Sequence, residues 1–158
     1  MKAALALTIA MFFVAGCGKG GQKWQSHEGK FSYLGELAEA DRTFFADFYG
    51  NVGKYVGEKN SSKMLSFFSK AFVGQQGESL TQVQKNLPAA YNQVKSMAYD
   101  VSQVRLTVEG PKNLIAEHVF RTTITQADSQ VEKSQGKERL YWRKEANQWK
   151  ILHWETNP

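Results

Sequence analysis

From Ala98 to the end of the chain, apolar and polar residues alternate with a period of two in four successive segments. Ala98 to Glu109 places Val104, Leu106 and Val108 on one face, and Leu114 to Gln126 does the same for Leu114, Ala116, His118, Phe120 and Ile124. Gly136 to Lys144 aligns Leu140 with Trp142, and Gln148 to Glu155 aligns Trp149 with Ile151. Between them lie Gly110-Pro111-Lys112-Asn113, a polar loop from Ala127 to Gln135, and Ala146-Asn147, all residue types that favour turns. Strict alternation with short links predicts a meandering antiparallel sheet. One face of such a sheet must be covered by another layer.

Upstream the spacing is helical. Leu34, Leu37, Phe44, Phe45, Phe48, Tyr49, Val52 and Val56 form a broad apolar face between Phe31 and Glu58, with Gly50, Gly53 and Gly57 predicting a kink or stop near Gly50. Asn60 or Ser61 caps a second helix, Ser62 to Ala71, whose apolar side is Met64, Leu65, Phe67, Phe68 and then Phe72. Ser79 caps a third, Leu80 to about Lys95, in which Pro88 marks a point of division because it cannot donate the interior helical hydrogen bond. The expected class is α+β, with three N-terminal helices packed on one face of the sheet.

The first residues follow different rules. Lys2, the apolar run Ala3 to Ala15 and the ending Val14-Ala15-Gly16-Cys17 have the order of a secretory signal, with an apolar core too short to span a membrane. The ending resembles the lipobox of bacterial lipoproteins, which implies removal of residues 1–16 and acylation of Cys17, the only cysteine. The lipid bilayer is then the first expected partner, with an extracytoplasmic location, and Gly18 resembles the default that leads to the outer membrane in a Gram-negative cell. Residues 17–30 read as a flexible tether and residues 31–158 as one domain. The net charge of +5 is dispersed among acids without a basic run, so nucleic acid is not an expected partner. The glycines of Gly18 to Gly21 lack a preceding strand and a Lys-Ser/Thr ending, which excludes a phosphate-binding loop.

The long helix bearing Phe44, Phe45, Phe48 and Tyr49 is followed by Phe67, Phe68, Ala71 and Phe72. The chain then ends in Gly136 to Glu145 and Gln148-Trp149-Lys150-Ile151-Leu152-His153. In these features, over roughly residues 35–155, it resembles the nuclear transport factor 2-like superfamily, which includes ketosteroid isomerase, scytalone dehydratase and SnoaL-like proteins. The resemblance implies a cone-shaped fold with a cavity between the helices and a curved antiparallel sheet. It does not assign chemistry, because its motifs are structural.

Within such a cavity the expected ligand-facing residues are Phe120, Trp142 and His153, the last read in phase with Trp149 and Ile151. His118 shares a face with Ala116 and Phe120, although a histidine hydrogen-bonded within a core is commoner than a catalytic one. The pattern places no third ligand beside these histidines, so neither a metal nor another cofactor is expected. The main expectation is a non-catalytic, membrane-anchored domain that binds a small apolar ligand or a protein partner at the cell envelope. The alternative is a small-molecule isomerase or dehydratase. Its candidate residues are Asp100, read in phase with Val104 and Leu106, together with His118 and Tyr91. On the opposite phase of the sheet, Ile115, Val119, Tyr141, Leu152 and Trp154 recur between charged residues, which suggests a homodimer through the outer sheet face.

Overall fold

The computed structural model describes residues 25–27 and 31–157. The expected signal segment and Cys17, the expected site of acylation, lie outside the described residues. In chain order the elements are β1 (Gln25–His27), β2 (Phe31–Leu34), α1 (Glu39–Gly57), α2 (Ser61–Leu65), β3 (Phe68–Gly74), α3 (Leu80–Gln93), β4 (Val94–Val108), β5 (Asn113–Gln126), β6 (Val131–Glu145) and β7 (Gln148–Asn157).

The alternating segments form the meander β4-β5-β6-β7, antiparallel throughout. The sheet as a whole departs from the expected antiparallel cone. It has seven strands in the order β1-β2-β4-β5-β6-β7-β3 and is mixed, because β2 runs parallel to β4 and β3 parallel to β7. It is open, with β1 and β3 at its edges, rather than curled into a cone. Nor do three helices simply precede it, since β1 and β2 come before α1 and β3 separates α2 from α3. Parallel partners need crossover connections, and here α1 and α3 lie within them. Gln25–His27, inside the segment read as a tether, pairs with β2.

The helices also differ from their sequence outlines. Phe31–Leu34 is a strand, so α1 begins later, and it then continues through Gly50 without a stop. Gly53 serves packing: a Cβ there would lie 2.4 Å from the Tyr99 carbonyl oxygen, so its absence lets α1 lie directly on β4. Asn60 caps α2 as expected, accepting from Lys63 N at 3.0 Å, but the helix ends at Leu65. Phe68 and Phe72 suit either a helix face or a strand, and pairing with the edge of β7 decides for the strand. Helix α3 begins with a capping box between Ser79 and Gln82 and continues through Pro88 undivided. The polar loop before β6 is a short turn, with Gln126 N donating to Gln130 O at 2.8 Å. Val131 to Gln135 are exposed strand residues, which is why they carry no apolar alternation.

The core lies where α1 crosses the meander. Phe45, Phe48, Trp142 and Trp149 are buried, with Phe45 and Phe48 meeting Trp142 edge-on at 5.4 Å and 4.9 Å. Asp41 of α1 accepts from Trp149 Nε1 at 2.8 Å and from Lys144 Nζ at 2.8 Å, which ties the helix to β6 and β7.

Two bulges control which residues face this core. In β4 the register slips between Ser102 and Arg105, and Gln103 has φ of 53°. Val104 and Leu106 therefore face inward after the bulge, whereas Tyr99 and Val101 share that face before it. In β7 the register slips at Leu152, so Trp149 and Ile151 face inward before it, and Trp154 and Thr156 after it. An extra residue in one strand reverses the alternation beyond it.

Candidate acid-base site

Three polar side chains meet on the inner face, one from each of three adjacent strands. Tyr99 of β4 donates its hydroxyl hydrogen to Glu138 Oε2 at 2.6 Å. His118 of β5 places Nε2 3.0 Å from the same carboxylate oxygen and 3.0 Å from the Tyr99 hydroxyl. His118 and Glu138 face each other in the β5-β6 ladder, and their side chains are 1% and 2% exposed. A carboxylate so enclosed requires donors, and Tyr99 and His118 supply them.

With Nε2 engaged by Glu138 and Tyr99, Nδ1 is the ring nitrogen of His118 that takes no part in the triad. Among the described residues Nδ1 is buried and has no hydrogen-bond partner, as is also true of Tyr49 Oη and Trp142 Nε1. The Tyr49 ring stands edge-on to His118 at 5.4 Å. Burial raises the Tyr49 pKa, the Trp142 indole opposes this, and the Glu138 charge adds to it. Burial likewise raises Tyr99, reinforced by the charge and hydrogen bond of Glu138. Both phenols are therefore donors at neutral pH. The cluster contains an oriented imidazole and buried polar atoms without hydrogen-bond partners among the described residues.

The residues expected from sequence distribute unevenly around this site. His118 is at its centre. Tyr91 is buried on α3, close enough to Tyr99 to raise its pKa, but it belongs to no hydrogen bond of the cluster. Its own pKa is pushed up to about 12 by burial. Asp100 is exposed and lies opposite Arg121 in the outer row, because the bulge at Gln103 reverses the phase in which it was read. Phe120 is buried and stacks on Tyr99 at 6.2 Å, while Trp142 belongs to the core, its indole near enough to the Tyr49 hydroxyl to lower that group's pKa. His153 is not ligand-facing in the way expected. Past the Leu152 bulge it stands opposite Tyr141, bonding to the Val73 carbonyl and, at 3.3 Å, to Glu155. Trp154 correspondingly leaves the outer stripe and stacks on Phe68 at 6.0 Å. The outer face carries an ion network in which Arg139 bridges Glu117 at 2.8 Å and Glu155 at 3.6 Å.

Sequence reading missed Glu138, Tyr99 and Tyr49. Glu138 had a visible signal, since it is a carboxylate in phase with Leu140 and Trp142 on an apolar face. Tyr99 had none, because its phase depends on the bulge. A groove of about 510 Å³, lined by Tyr33, Leu37 and Arg42, lies where β2 leads into α1. Tyr33 pairs with Leu106, so the groove is roughly 20 Å along β4 from Tyr99 and separate from the cluster. Among the described residues no three His, Cys, Asp or Glu side chains form a metal site.

Solved structures share the overall fold and little of the sequence. A nuclear transport factor 2-like superfamily protein from Salmonella enterica superposes with a TM-score of 0.64 at 16% identity, covering 73% of this chain and 89% of its own. The chain shares the fold of that nuclear transport factor 2-like protein. Two proteins of Novosphingobium aromaticivorans share it. One is a candidate aromatic ring hydroxylase, with a TM-score of 0.68 at 12% identity and coverage of 77% of this chain and 91% of that one. The other is a candidate scytalone dehydratase, with a TM-score of 0.67 at 10% identity and coverage of 74% and 83%. No family model matches the sequence, and no curated protein matches it. At these identities the likeness concerns the fold.

Proposed function

We propose that the domain is a small-molecule acid-base enzyme of the isomerase or dehydratase type, carried outside the cytoplasm on a lipid anchor at Cys17. The observation that supports the catalytic reading is the buried Glu138–His118 pair with Nδ1 of the imidazole left open. Buried ionisable groups held by specific partners are characteristic of functional sites. The candidate hydroxylase and dehydratase of the same fold favour it over the non-catalytic domain that was the main expectation from the sequence. Localisation rests on the sequence ending at Cys17 and the apolar run before it.

In this reading His118 Nδ1 removes a proton from a carbon next to a carbonyl group. The C–H electron pair forms the new carbon–carbon double bond, and the carbonyl pair moves onto oxygen, where Tyr49 Oη–H and Trp142 Nε1–H donate to it. Glu138 stabilises the imidazolium so formed and holds its ring, and Tyr99 keeps the carboxylate oriented. Return of the proton to a different carbon completes an isomerisation. Its delivery to a departing hydroxyl, with water released, completes a dehydration.

The test requires no knowledge of the natural substrate. The purified domain is incubated in D₂O with β-tetralone and a set of β,γ-unsaturated cyclic ketones, and deuterium incorporation is followed by NMR. Exchange well above buffer that falls about 10²-fold or more in His118→Ala is the expected result. No exchange with any ketone, or exchange unaffected by His118→Ala, overturns the reading.

A further inference from the structure

Beyond Leu152, the bulge in β7 turns two consecutive inward positions, Trp154 and Thr156, toward the face that carries the acid-base cluster. Thr156 lies directly opposite Glu138 in the β6-β7 ladder, and Trp154 lies opposite Leu140. His118, Glu138 and Thr156 therefore form one continuous row across β5, β6 and β7. Thr156 is 2% exposed, yet its Oγ1 has no hydrogen-bond partner among the described residues, and the same holds for the buried Nε1 of Trp154.

These orphans are held in place. Gln75, between β3 and α3, accepts from Thr156 N at 2.9 Å and donates to Thr156 O at 3.4 Å, which fixes the backbone on both sides of the residue. The Trp154 ring is fixed by its stack on Phe68. An unsatisfied buried hydroxyl is costly, whereas valine would fill the same space without that cost. Successive inward positions on a strand stand roughly 7 Å apart, so the two donors come from neighbouring positions on one face of β7.

We infer that Trp154 Nε1 and Thr156 Oγ1 form a second polar subsite beside Glu138. It receives a hydrogen-bond acceptor oxygen, of carbonyl, ether or hydroxyl type, on a part of the substrate remote from the carbon that loses its proton. Gln75 is the positioning residue that holds Thr156. The inference rests on the acid-base reading of Glu138 and His118 and adds to it the shape of the substrate: one enolisable carbonyl and a second oxygen. An indole N–H can only donate, so the subsite selects an acceptor.

Deuterium exchange is measured with β-tetralone and with methoxy-β-tetralones that place the ether oxygen at different ring positions. For the wild type, at least one methoxy ketone is expected to exchange about ten-fold faster than β-tetralone, the worth of roughly one buried hydrogen bond. Trp154→Phe, which retains the stack, and Thr156→Val, which retains the shape, are expected to lower that ketone's rate about ten-fold more than they lower β-tetralone's. Thr156→Ser should restore most of it. The Tm of Thr156→Val should equal or exceed that of the wild type, because the hydroxyl has no hydrogen-bond partner among the described residues. A wild type that exchanges neither type of ketone removes the acid-base reading, and this inference with it. Exchange of all ketones at one rate, or equal losses in both variants for both ketone types, overturns the subsite and leaves the acid-base reading standing. A Tm several degrees lower in Thr156→Val assigns the hydroxyl to structure and also overturns the subsite.

Discussion

The Tyr99 hydroxyl reaches across β5 to donate to Glu138 Oε2 at 2.6 Å, so two strands that are not neighbours in the sheet are joined through one carboxylate. His118, on the strand between them, completes the triangle. Because Glu138 is buried with His118 and Tyr99 as its hydrogen-bond partners, removing the carboxylate strands an imidazole and a phenol in a dry interior. With two buried groups left unpaired, Glu138→Ala is expected to cost about 2 to 6 kcal/mol. Glu138→Gln retains the shape and should cost less. Urea denaturation at neutral pH measures both, and a cost below about 1 kcal/mol for Glu138→Ala would mean that water reaches the pair.

Tyr49, Tyr91 and Tyr99 have pKa values raised chiefly by burial. In the unfolded chain each ionises near the ordinary value of about 10, whereas the folded chain keeps them protonated. Above that pH the unfolded state binds fewer protons than the folded one, so stability falls as pH rises. The stabilisation is fully present below pH ~10 and is lost progressively above it. Denaturant midpoints should decline steeply over that range. Native-state absorbance of tyrosinate at pH ~11 should report fewer than the six tyrosines of the chain.

Gly53 lies where α1 meets β4, and a Cβ on it would stand 2.4 Å from the Tyr99 carbonyl oxygen. Backbone cannot yield as a side chain does, so Gly53→Ala should push the helix away from the strand and cost about 1 to 3 kcal/mol, despite alanine's higher helix propensity. Gly50→Ala meets no atom within 4 Å and should be neutral or stabilising. Thermal unfolding of the two variants side by side separates the packing role from the propensity effect.

Trp149 is buried beneath α1 and donates to Asp41. Trp149→Ala is expected to cost about 3 to 5 kcal/mol through lost burial and the cavity left behind. Asp41→Ala leaves the indole N–H and Lys144 without their acceptor and should cost about 1 to 3 kcal/mol. In a double-mutant cycle the two should be clearly non-additive, since they share one contact.

Acylation is checked by mass. Protein recovered from native membranes should begin at Cys17 and carry the added mass of acyl chains, each buried methylene contributing about 0.8 kcal/mol to anchoring. An unmodified chain that still begins at Met1 would reject both the anchor and the extracytoplasmic location.

The alternation of residues 98–155 by itself determined the four-stranded meander, and the pairs Val104 with Leu106, Leu140 with Trp142 and Trp149 with Ile151 all face the core it implied. This was legible because each strand has one buried and one solvated face, so the period of two is written into hydrophobicity. Helical spacing likewise located α1 and α3, and Ser79 and Asn60 cap where their side chains allow. The strand identity of Phe31–Leu34 and Phe68–Gly74 was not legible. Short apolar runs fit a helix face equally well, and only a free sheet edge in the folded chain gave them partners. The site was half legible for the same kind of reason. His118 lies on an unbroken strand, so its phase could be read directly. Tyr99, Thr156 and Trp154 lie beyond bulges at Gln103 and Leu152, where one unpaired residue exchanges the inner and outer faces, and that exchange is decided by pairing with the neighbouring strand and not by the residues themselves.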